Sequence, residues 1–267
     1  MPNTRFENYV LENRLSDQLE TRMNMLDYVT VNDQLATEAG MTVKVHAYVA
    51  TGAAEKLEEG EGNSQSVEMS YSAKEYKVGT TQARFVYTDE DEMADPFLVD
   101  GGVRNLSVAI TNSVTNDVIA EFGKASLVVN YSGAPKFDDF VDALGMLTVS
   151  DNAAGSEDEP ETFALVNRKS KALVQKGLKD DLKYVEDYAR QGYIGHVAGV
   201  AIRVNDAVPE GWVIIATKEA VTYFRKKAAT TEQERDGNTR KNTLYGRLVG
   251  FAALTDEGKC AILKPAT

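Results

Sequence analysis

The 267-residue chain has a single cysteine, two histidines and no long apolar run, and each shortage excludes a class of protein. The lone Cys260 excludes a framework of internal disulfides and is typical of a protein kept in a reducing compartment such as a cytoplasm. No apolar stretch approaches the roughly 18 residues that a helix needs to span a bilayer. The charged, amphipathic N-terminus lacks the apolar core of a signal peptide. An apolar fraction of 43% is nonetheless ordinary for a globular protein and excludes global disorder.

The chain also lacks motifs that predict catalysis or ligand binding. Neither His46 nor His196 has a Cys, Asp or Glu at zinc-ligand spacing. Cys260 has apolar neighbours and is predicted to be a buried, inert thiol, although a base brought near it by the fold would make it a nucleophile. The glycine-rich residues 192–199 fit no phosphate-binding loop, and the acids in 89–95 do not follow the calcium-loop pattern. We therefore predict no catalytic residue, metal or cofactor; a hydrolase with a cryptic Ser or Cys site is the enzymatic alternative.

The chain has fewer positive than negative residues, and the two kinds are unevenly distributed along it. Residues 1–161 hold 11 Lys and Arg against 29 Asp and Glu, whereas residues 162–267 hold 18 against 12, for a net charge of -12. An acidic chain is a poor candidate for wrapping nucleic acid, because phosphate contacts need clustered cations. Two halves of opposite sign suit a chain that packs against copies of itself, although both sets of charges could simply keep the surface soluble.

The N-terminal segment predicts an amphipathic helix over residues 7–26. Apolar residues recur in it every three or four positions and form one stripe on a charged rod. They are Leu11, Leu15, Leu19, Met23 and Leu26. Such a helix either packs on its own domain or reaches across to a neighbouring molecule.

Residues 41–88 predict a long hairpin around an acidic tip. The alternation in residues 41–50 predicts one strand, and that in residues 66–72, continued through Val78 and Phe85, predicts the return. Charged residues lie on both faces, and an isolated two-stranded hairpin is marginally stable in water. We therefore expect this hairpin to be ordered against another subunit.

The longest helix is predicted to begin at Asp95 and to end at Gly123. Asp95 is expected to cap it and Pro96 to take the first helical position. Its apolar residues keep a three- or four-residue step; they are Val99, Val103, Leu106, Ile110, Val114, Val118 and Phe122. The acids at 89–92 precede it and favour the positive end of the helix dipole.

Beyond Pro135 the pattern predicts an α+β unit of roughly 85 residues, followed by returning strands. The predicted elements are a helix at 137–147, a loop at 151–161, strands at 162–167, 195–204 and 211–217, partial helix at 168–190, and two final strands joined by a turn at 255–258.

In this order the segments resemble the major capsid proteins of tailed bacteriophages, which have the Hong Kong 97-type fold, and in particular the coat proteins of long-tailed phages of Gram-positive bacteria. The residues that carry the resemblance are ENYVLENRLSDQLETRM for an N-terminal arm, the hairpin for an extended loop, VDGGVRNLSVAITNSVTNDVIAEF for the spine helix, and ATKEAVTYFRKK, EQERDGNTRKNTLYGRLVGFAALTD and the last strand for the return of the peripheral domain. The resemblance implies an α+β fold with an arm at 1–38, an extended loop at 39–88, a peripheral domain with the spine helix at 89–135, an axial domain at 136–221 and peripheral return strands at 222–267.

The resemblance also implies a function and partners. The chain would assemble into hexamers and pentamers of an icosahedral head shell that encloses double-stranded DNA, touched only non-specifically, with no membrane. A portal and possibly a decoration protein would join it. Because the arm begins within ten residues of Met1, we expect a separate scaffolding protein. An encapsulin-like compartment shell is the alternative function.

We predict that three sets of residues contact other subunits. They are the stripe residues Leu11, Leu15 and Leu19, the hairpin acids Glu55, Glu58, Glu59 and Glu61, and the cations Arg225, Lys226, Lys227, Arg235, Arg240 and Lys241.

Overall fold

The structure, a computed structural model, describes residues 4–7, 9–36, 40–51, 56–57, 62, 64, 66, 68–147, 161–179 and 195–266. The helices are α1 (Tyr9–Arg22), α2 (Asp89–Ala94), α3 (Leu98–Phe122), α4 (Phe137–Met146) and α5 (Arg168–Gly177). The strands are β1 (Thr4–Glu7), β2 (Thr30–Asn32), β3 (Thr42–Thr51), β4 (Glu68–Lys77), β5 (Gly79–Thr88), β6 (Leu127–Tyr131), β7 (Thr162–Val166), β8 (His196–Val197), β9 (Val200–Val204), β10 (Val213–Thr217), β11 (Val221–Asp236), β12 (Lys241–Leu254) and β13 (Cys260–Pro265). No helix in these ranges is long and apolar enough to cross a membrane.

The first sheet carries the long helix α3. Its order is β1-β11-β12-β5, and β2 adds to β11 in parallel. From Asn242 to Leu248 of β12 every second residue is buried, because that face lies on α3. Leu106 and Ile110 of α3 and Leu244 and Leu248 of β12 belong to the same core.

The second sheet lies beyond the C-terminal end of α3 and has the order β6-β13-β10-β7-β9-β8. Phe163, Ile214 and Ile262 project from one face into the core shared with α3. Alternate residues of the same strands, such as Ala164 and Ile215, project from the other face toward α4 and α5. Since the sheet is covered on both faces, its central strands are apolar throughout, as β10 is.

The third sheet is a two-stranded ribbon of β3 and β4. The strands pair antiparallel from Thr42 opposite Lys77 to Thr51 opposite Glu68. The predicted hairpin strands are therefore confirmed at residues 42–51 and 68–77. Residues 79–88, which the sequence assigned to the extended loop, form β5 and pair with β12 in the first sheet.

The long helix begins three residues later than predicted. Asp95 does not cap it; its carboxylate accepts a hydrogen bond from the backbone N–H of Phe97 at 2.9 Å, and Pro96 lies in a turn. The acids at 89–92 belong to a separate short helix, α2, which Thr88 begins through reciprocal hydrogen bonds with Asp91. The predicted end at Gly123 is confirmed.

Two features of the C-terminal third differ from the sequence prediction. The charged residues at 228–241, for which the sequence predicted no separate element, form the outer part of a long β11–β12 hairpin. The last strand, β13, does not pair with β12 across the turn at 255–258; it lies between β10 and β6 in the second sheet. The predicted helix at 137–147 and strands at 162–167 and 211–217 are confirmed. The predicted loop at 151–160 and the partial helix predicted over 180–190 lie outside the described residues.

Candidate interaction surfaces

The apolar stripe of α1 is buried within its own chain. Leu15 is 1% exposed, and its side chain reaches Gly246 of β12 alongside Ile110 of α3. Leu11 and Leu19 belong to the same core. An ion pair between Arg14 and Asp100 also joins α1 to α3. The expectation that these three leucines contact other subunits is therefore wrong, because α3 and β12 supply their apolar partners.

The ribbon is fixed to the body only through its base. The ring of Tyr76 stacks on Phe251 of β12 with centroids 5.5 Å apart, and Phe251 stacks on Phe224 at 5.1 Å. Val43 and Val45 pack on the same small core. These contacts hold the residues of β3 and β4 nearest the first sheet in place.

Charged contacts reinforce the base of the ribbon. Lys74 forms an ion pair with Glu257, which raises the pKa of the lysine and lowers the pKa of the carboxyl group. The hydroxyl of Tyr76 lies 3.5 Å from a carboxylate oxygen of Glu121, a buried acid near the end of α3 that also pairs with Lys124.

Beyond the base, β3 and β4 pair only with each other among the described residues. The register continues for several further pairs, through His46 opposite Ala73 and Val49 opposite Ser70. Both ribbon edges therefore present unpaired backbone N–H and C=O groups. The predicted contact residues Glu55, Glu58, Glu59 and Glu61 lie outside the described residues.

Two of the predicted contact cations near the start of β11 bind their own chain. The guanidinium of Arg225 donates two hydrogen bonds of 2.7 Å each to the carboxylate of Asp33, which lowers the pKa of that carboxyl group. The ammonium of Lys226 donates to the carbonyl oxygen of Gly40. Lys227 is exposed at an irregularity in the β11–β12 pairing.

Two more of these cations bind acids next to α2. Arg235 donates to Asp89 at 2.7 Å, and this bond, with another from Asn242, lowers the pKa of the Asp89 carboxyl group. Arg240 pairs with Glu90 at 2.7 Å. The sequence correctly indicates salt bridges to protein for Arg225, Arg235 and Arg240, but the acids belong to the same chain. Such exposed pairs contribute little to stability and can exchange partners.

The residues that the sequence offers as candidates for catalysis or metal binding are poorly placed for either. The thiol of Cys260 is buried, and burial raises its pKa to about 12, so that almost no nucleophilic thiolate exists near neutral pH. His196 lies exposed on β8 at an open cavity of about 440 Å³ that Asp27 and Lys218 also line. Within the described ranges, no three His, Cys, Asp or Glu side chains are placed to hold a metal ion. The side chain of His46 lies outside the described part.

An exposed apolar corner between α2 and α3 was not found in the sequence. Met93 and Phe97 stand almost fully in solvent beside an open groove of about 640 Å³. The sequence signal that could have revealed it is the pair of large apolar residues on either side of Asp95-Pro96. A proline opens a turn there, and the two apolar side chains cannot both be buried in that turn. We call the segment from Asp89 to Asp100 the α2–α3 corner.

Comparison with known proteins finds that this chain is similar to a phage major capsid protein and, in fold, to solved capsid structures. No family model matches the chain. The major capsid protein of Staphylococcus phage phiMR11 is 25% identical over 254 residues, which is 94% of this chain and 90% of that protein. The capsid of a native GTA particle matches at 10% identity with a TM-score of 0.72, covering 92% and 91% of the two chains. A virus-like particle from Pyrococcus furiosus matches at 14% identity with a TM-score of 0.65, covering 96% and 98%.

The solved structures establish the fold. The chain has the α+β Hong Kong 97-type capsid fold that the order of its segments predicted, over about nine tenths of its length (90% and 92% in two matches), and that prediction is confirmed. The resemblance to phage major capsid proteins, inferred from the arm, the ribbon and the spine helix, is likewise confirmed by a relative of nearly the same length.

Proposed function

We propose that this chain is a major capsid protein, a structural subunit that assembles with copies of itself into hexamers and pentamers of an icosahedral head shell around double-stranded phage DNA. Similarity to a phage major capsid protein along nearly the whole chain supports this role. A subunit of this kind acts mechanically, by holding a shell closed, and needs no catalytic centre.

The observation that carries the proposal is the ribbon formed by β3 and β4. Its base is packed on the first sheet, yet beyond the base its strands pair only with each other within the described residues. A two-stranded hairpin of this length is marginally stable alone in water. A second copy beneath the ribbon would supply the missing surface, and contacts of this head-to-tail kind close into rings.

The net charge of -12 fits a container for DNA. An acidic wall repels the phosphate backbone and leaves the packaged genome free to leave the particle. We therefore propose only non-specific contact between the shell and DNA, a location in the virion and assembly in the host cytoplasm.

The proposed role brings further partners. A closed head needs an entrance for DNA, so we propose a portal at one vertex, assembly guided by a separate scaffolding protein, and possibly a decoration protein on the outer surface. We expect the subunit to fold without these partners, since three apolar cores form within the described part of one chain.

A second candidate function is the shell of an encapsulin-like compartment. The similarity to the virus-like particle from Pyrococcus furiosus, which covers nearly all of both chains, favours considering it. The two functions differ in the enclosed material, because a compartment shell would enclose a protein cargo and a phage head would enclose DNA.

Electron microscopy of the expressed chain, alone and together with the scaffolding protein, tests the proposal. We expect closed shells of uniform diameter that contain hexamers and pentamers. Soluble monomers under every condition would overturn the proposal. Particles that co-purify with one folded enzyme and exclude DNA would instead favour the compartment.

A further inference from the structure

The helix α5 is basic, although the chain as a whole is acidic. Residues 168–179, which comprise α5 and the two residues after it, hold five Lys and Arg and no Asp or Glu, whereas the whole chain has a net charge of -12. One side of α5 packs in the second core through Val174 and Leu178. Lys176 and Lys179 are exposed, so the helix presents positive charge to solvent.

Only part of this positive charge is neutralised within the described residues. The two cations at the start of α5 pair with acids between β9 and β10; the pairs are Arg168–Asp206 and Lys169–Glu210. The other three cations, Lys171, Lys176 and Lys179, form no ion pair with any described residue. The acids at 180 and 181 lie outside the described part of the chain. We call Lys171, Lys176 and Lys179 the α5 surface.

The helix α4 is acidic on its exposed side. Asp138 and Asp142 lie one turn apart and are exposed, and neither has an ion pair in the described ranges. The exposed Val141 lies beside them. Asp139 has no ion pair with a described residue either, but its carboxylate accepts a hydrogen bond of 2.7 Å from the backbone N–H of Lys136. We call Asp138, Val141 and Asp142 the α4 surface.

Both helices cover the same face of the second sheet, and their ends meet. Phe140 of α4 and Val174 of α5 belong to the second core. A Cβ atom built on Gly177 would lie 2.0 Å from the carbonyl oxygen of Pro135, so the end of α5 touches the residue two positions before α4. Lys136 follows Pro135 and therefore adds positive charge at this junction. Even so, no ion pair between described residues joins α4 to α5 within one chain.

We propose that the α4 surface of one copy contacts the α5 surface of the next copy, with the carboxylates of the first against the ammonium groups of the second. Neither surface can meet its own copy, because like charges would then face each other. A contact that uses both surfaces is therefore head-to-tail, and such contacts close into rings. This inference rests on the proposed function, because it names one contact within a hexamer or pentamer; the ribbon makes a different one.

Reversal of each surface tests the contact in the full-length chain. D138K/D142K and K176E/K179E should each raise the subunit concentration needed for assembly at least about tenfold, the equivalent of ~1.4 kcal/mol. The combined variant should assemble at nearly the original concentration, because opposite charges face each other again. Thermal unfolding of each unassembled subunit reports folding separately. The combined variant keeps every substitution that could weaken a helix end, so its recovery cannot come from better folding.

A control with matched charge separates a contact from an effect of net charge. Arg203 and Lys218 are exposed and line the cavity at His196. D138K/D142K combined with R203E/K218E has the same net charge of -12 as the unchanged chain, but its α4 and α5 surfaces are both positive. This variant should assemble as poorly as D138K/D142K alone.

A gel-shift titration with double-stranded DNA examines the other partner that a basic helix could bind. The unassembled K176E/K179E subunit should have the same weak affinity for DNA as the unchanged subunit. Normal assembly of K176E/K179E together with a loss of DNA affinity would overturn the contact and assign α5 to DNA.

The remaining outcomes separate this inference from the proposed function. Normal assembly of either reversed variant, a combined variant that does not recover, or recovery by the charge-matched control would overturn the contact and leave the shell function intact. An unchanged chain that never forms particles would overturn both.

Discussion

Glycines on α3 show how single residues set the distance between the spine helix and the first sheet. Gly101 and Gly102 are adjacent in the first turns of α3, but only Gly102 faces the sheet. A Cβ atom built on Gly102 would lie 2.3 Å from the ring of Phe85 on β5, whereas one on Gly101 would have no neighbour within 4 Å. The helix can therefore approach β5 only because residue 102 has no side chain.

This pair gives a matched prediction. Gly102→Ala should lower the free energy of unfolding by about 1–3 kcal/mol, the usual cost of forcing an extra carbon into a packed core. Gly101→Ala should raise it by roughly 0.5–1 kcal/mol, because alanine favours the helix over the unfolded chain. Denaturant titrations of the unassembled subunit measure both, and equal effects of the two substitutions would contradict the packing of Phe85 on Gly102.

Buried protonated groups predict a loss of stability at high pH. Burial raises the pKa of Cys260 and that of Tyr223 to about 12 each. The folded state keeps both groups protonated while the unfolded chain releases protons above about pH 8.5 for the thiol and about pH 10 for the phenol. Each group's contribution to the free energy of unfolding should therefore be fully present below its unfolded-state value. It should fall as pH rises above that value, by up to ~1.4 kcal/mol per pH unit for each group.

The variant Cys260→Ala isolates the contribution of the thiol. Between about pH 8.5 and pH 9.5 the tyrosine is still largely protonated in both states, so this variant should lose less stability over that interval than the unchanged chain. The fluorescence of the single Trp212, which packs against Gly123 at the end of α3, reports unfolding. Identical slopes for the two proteins would mean that the thiol is not buried.

At the scale of elements, substitutions in α1 distinguish packing within the chain from packing between copies. Leu15 packs against Gly246 of its own chain and belongs to the same core as Ile110. Leu15→Ala should therefore destabilise even the unassembled subunit, by about 2–5 kcal/mol, through loss of buried surface and a residual cavity. Val10→Ala, one turn away on the exposed side, is the control and should change unfolding by no more than about 0.5 kcal/mol. Normal stability of the Leu15→Ala subunit would contradict this packing and would favour the contact with other subunits that the sequence predicts for the stripe.

The base of the ribbon gives a second prediction for an element. Tyr76→Ala removes the stack on Phe251 and should speed hydrogen exchange of the amides in β3 and β4 while leaving those of the second sheet unchanged. Tyr76→Phe keeps the ring and should behave nearly as the unchanged chain, because the hydroxyl contact with Glu121 is long, at 3.5 Å. Equal protection of the ribbon in all three proteins would show that the aromatic stack does not hold it.

Most elements could be predicted from the sequence where their pattern is apolar and local. The stripes of α1 and α3, the alternation of β3 and the apolar run of β10 each identify their element. The β11–β12 hairpin could not be predicted from an apolar pattern. Two of the buried positions in β12 are Asn242 and Gly246, which have no large apolar side chain, and β11 carries many charges. The partners of a surface residue were not predictable either: Arg225 and Asp33 are 192 residues apart, and only the fold brings them together.

At the scale of the whole molecule, the apolar surfaces of the first and second sheets are covered within one chain, as is the stripe of α1. Among the described residues, β3 and β4 pair only with each other beyond the base of the ribbon. We propose that the outer ribbon contacts other copies. Folding and assembly should therefore be separable, since changes in the cores affect the first and changes in the outer ribbon affect the second.

The most direct measurement of this claim compares the unchanged chain with one whose ribbon is shortened. Replacing residues 46–73 by an Asn-Gly turn joins Val45 to Lys74, which stand opposite each other, and keeps every described contact of the base. Sedimentation and electron microscopy should show closed shells for the unchanged chain, and dispersed subunits with an unaltered thermal unfolding midpoint for the shortened one. Closed shells formed equally well by the shortened chain would contradict the claim that the ribbon joins one copy to the next.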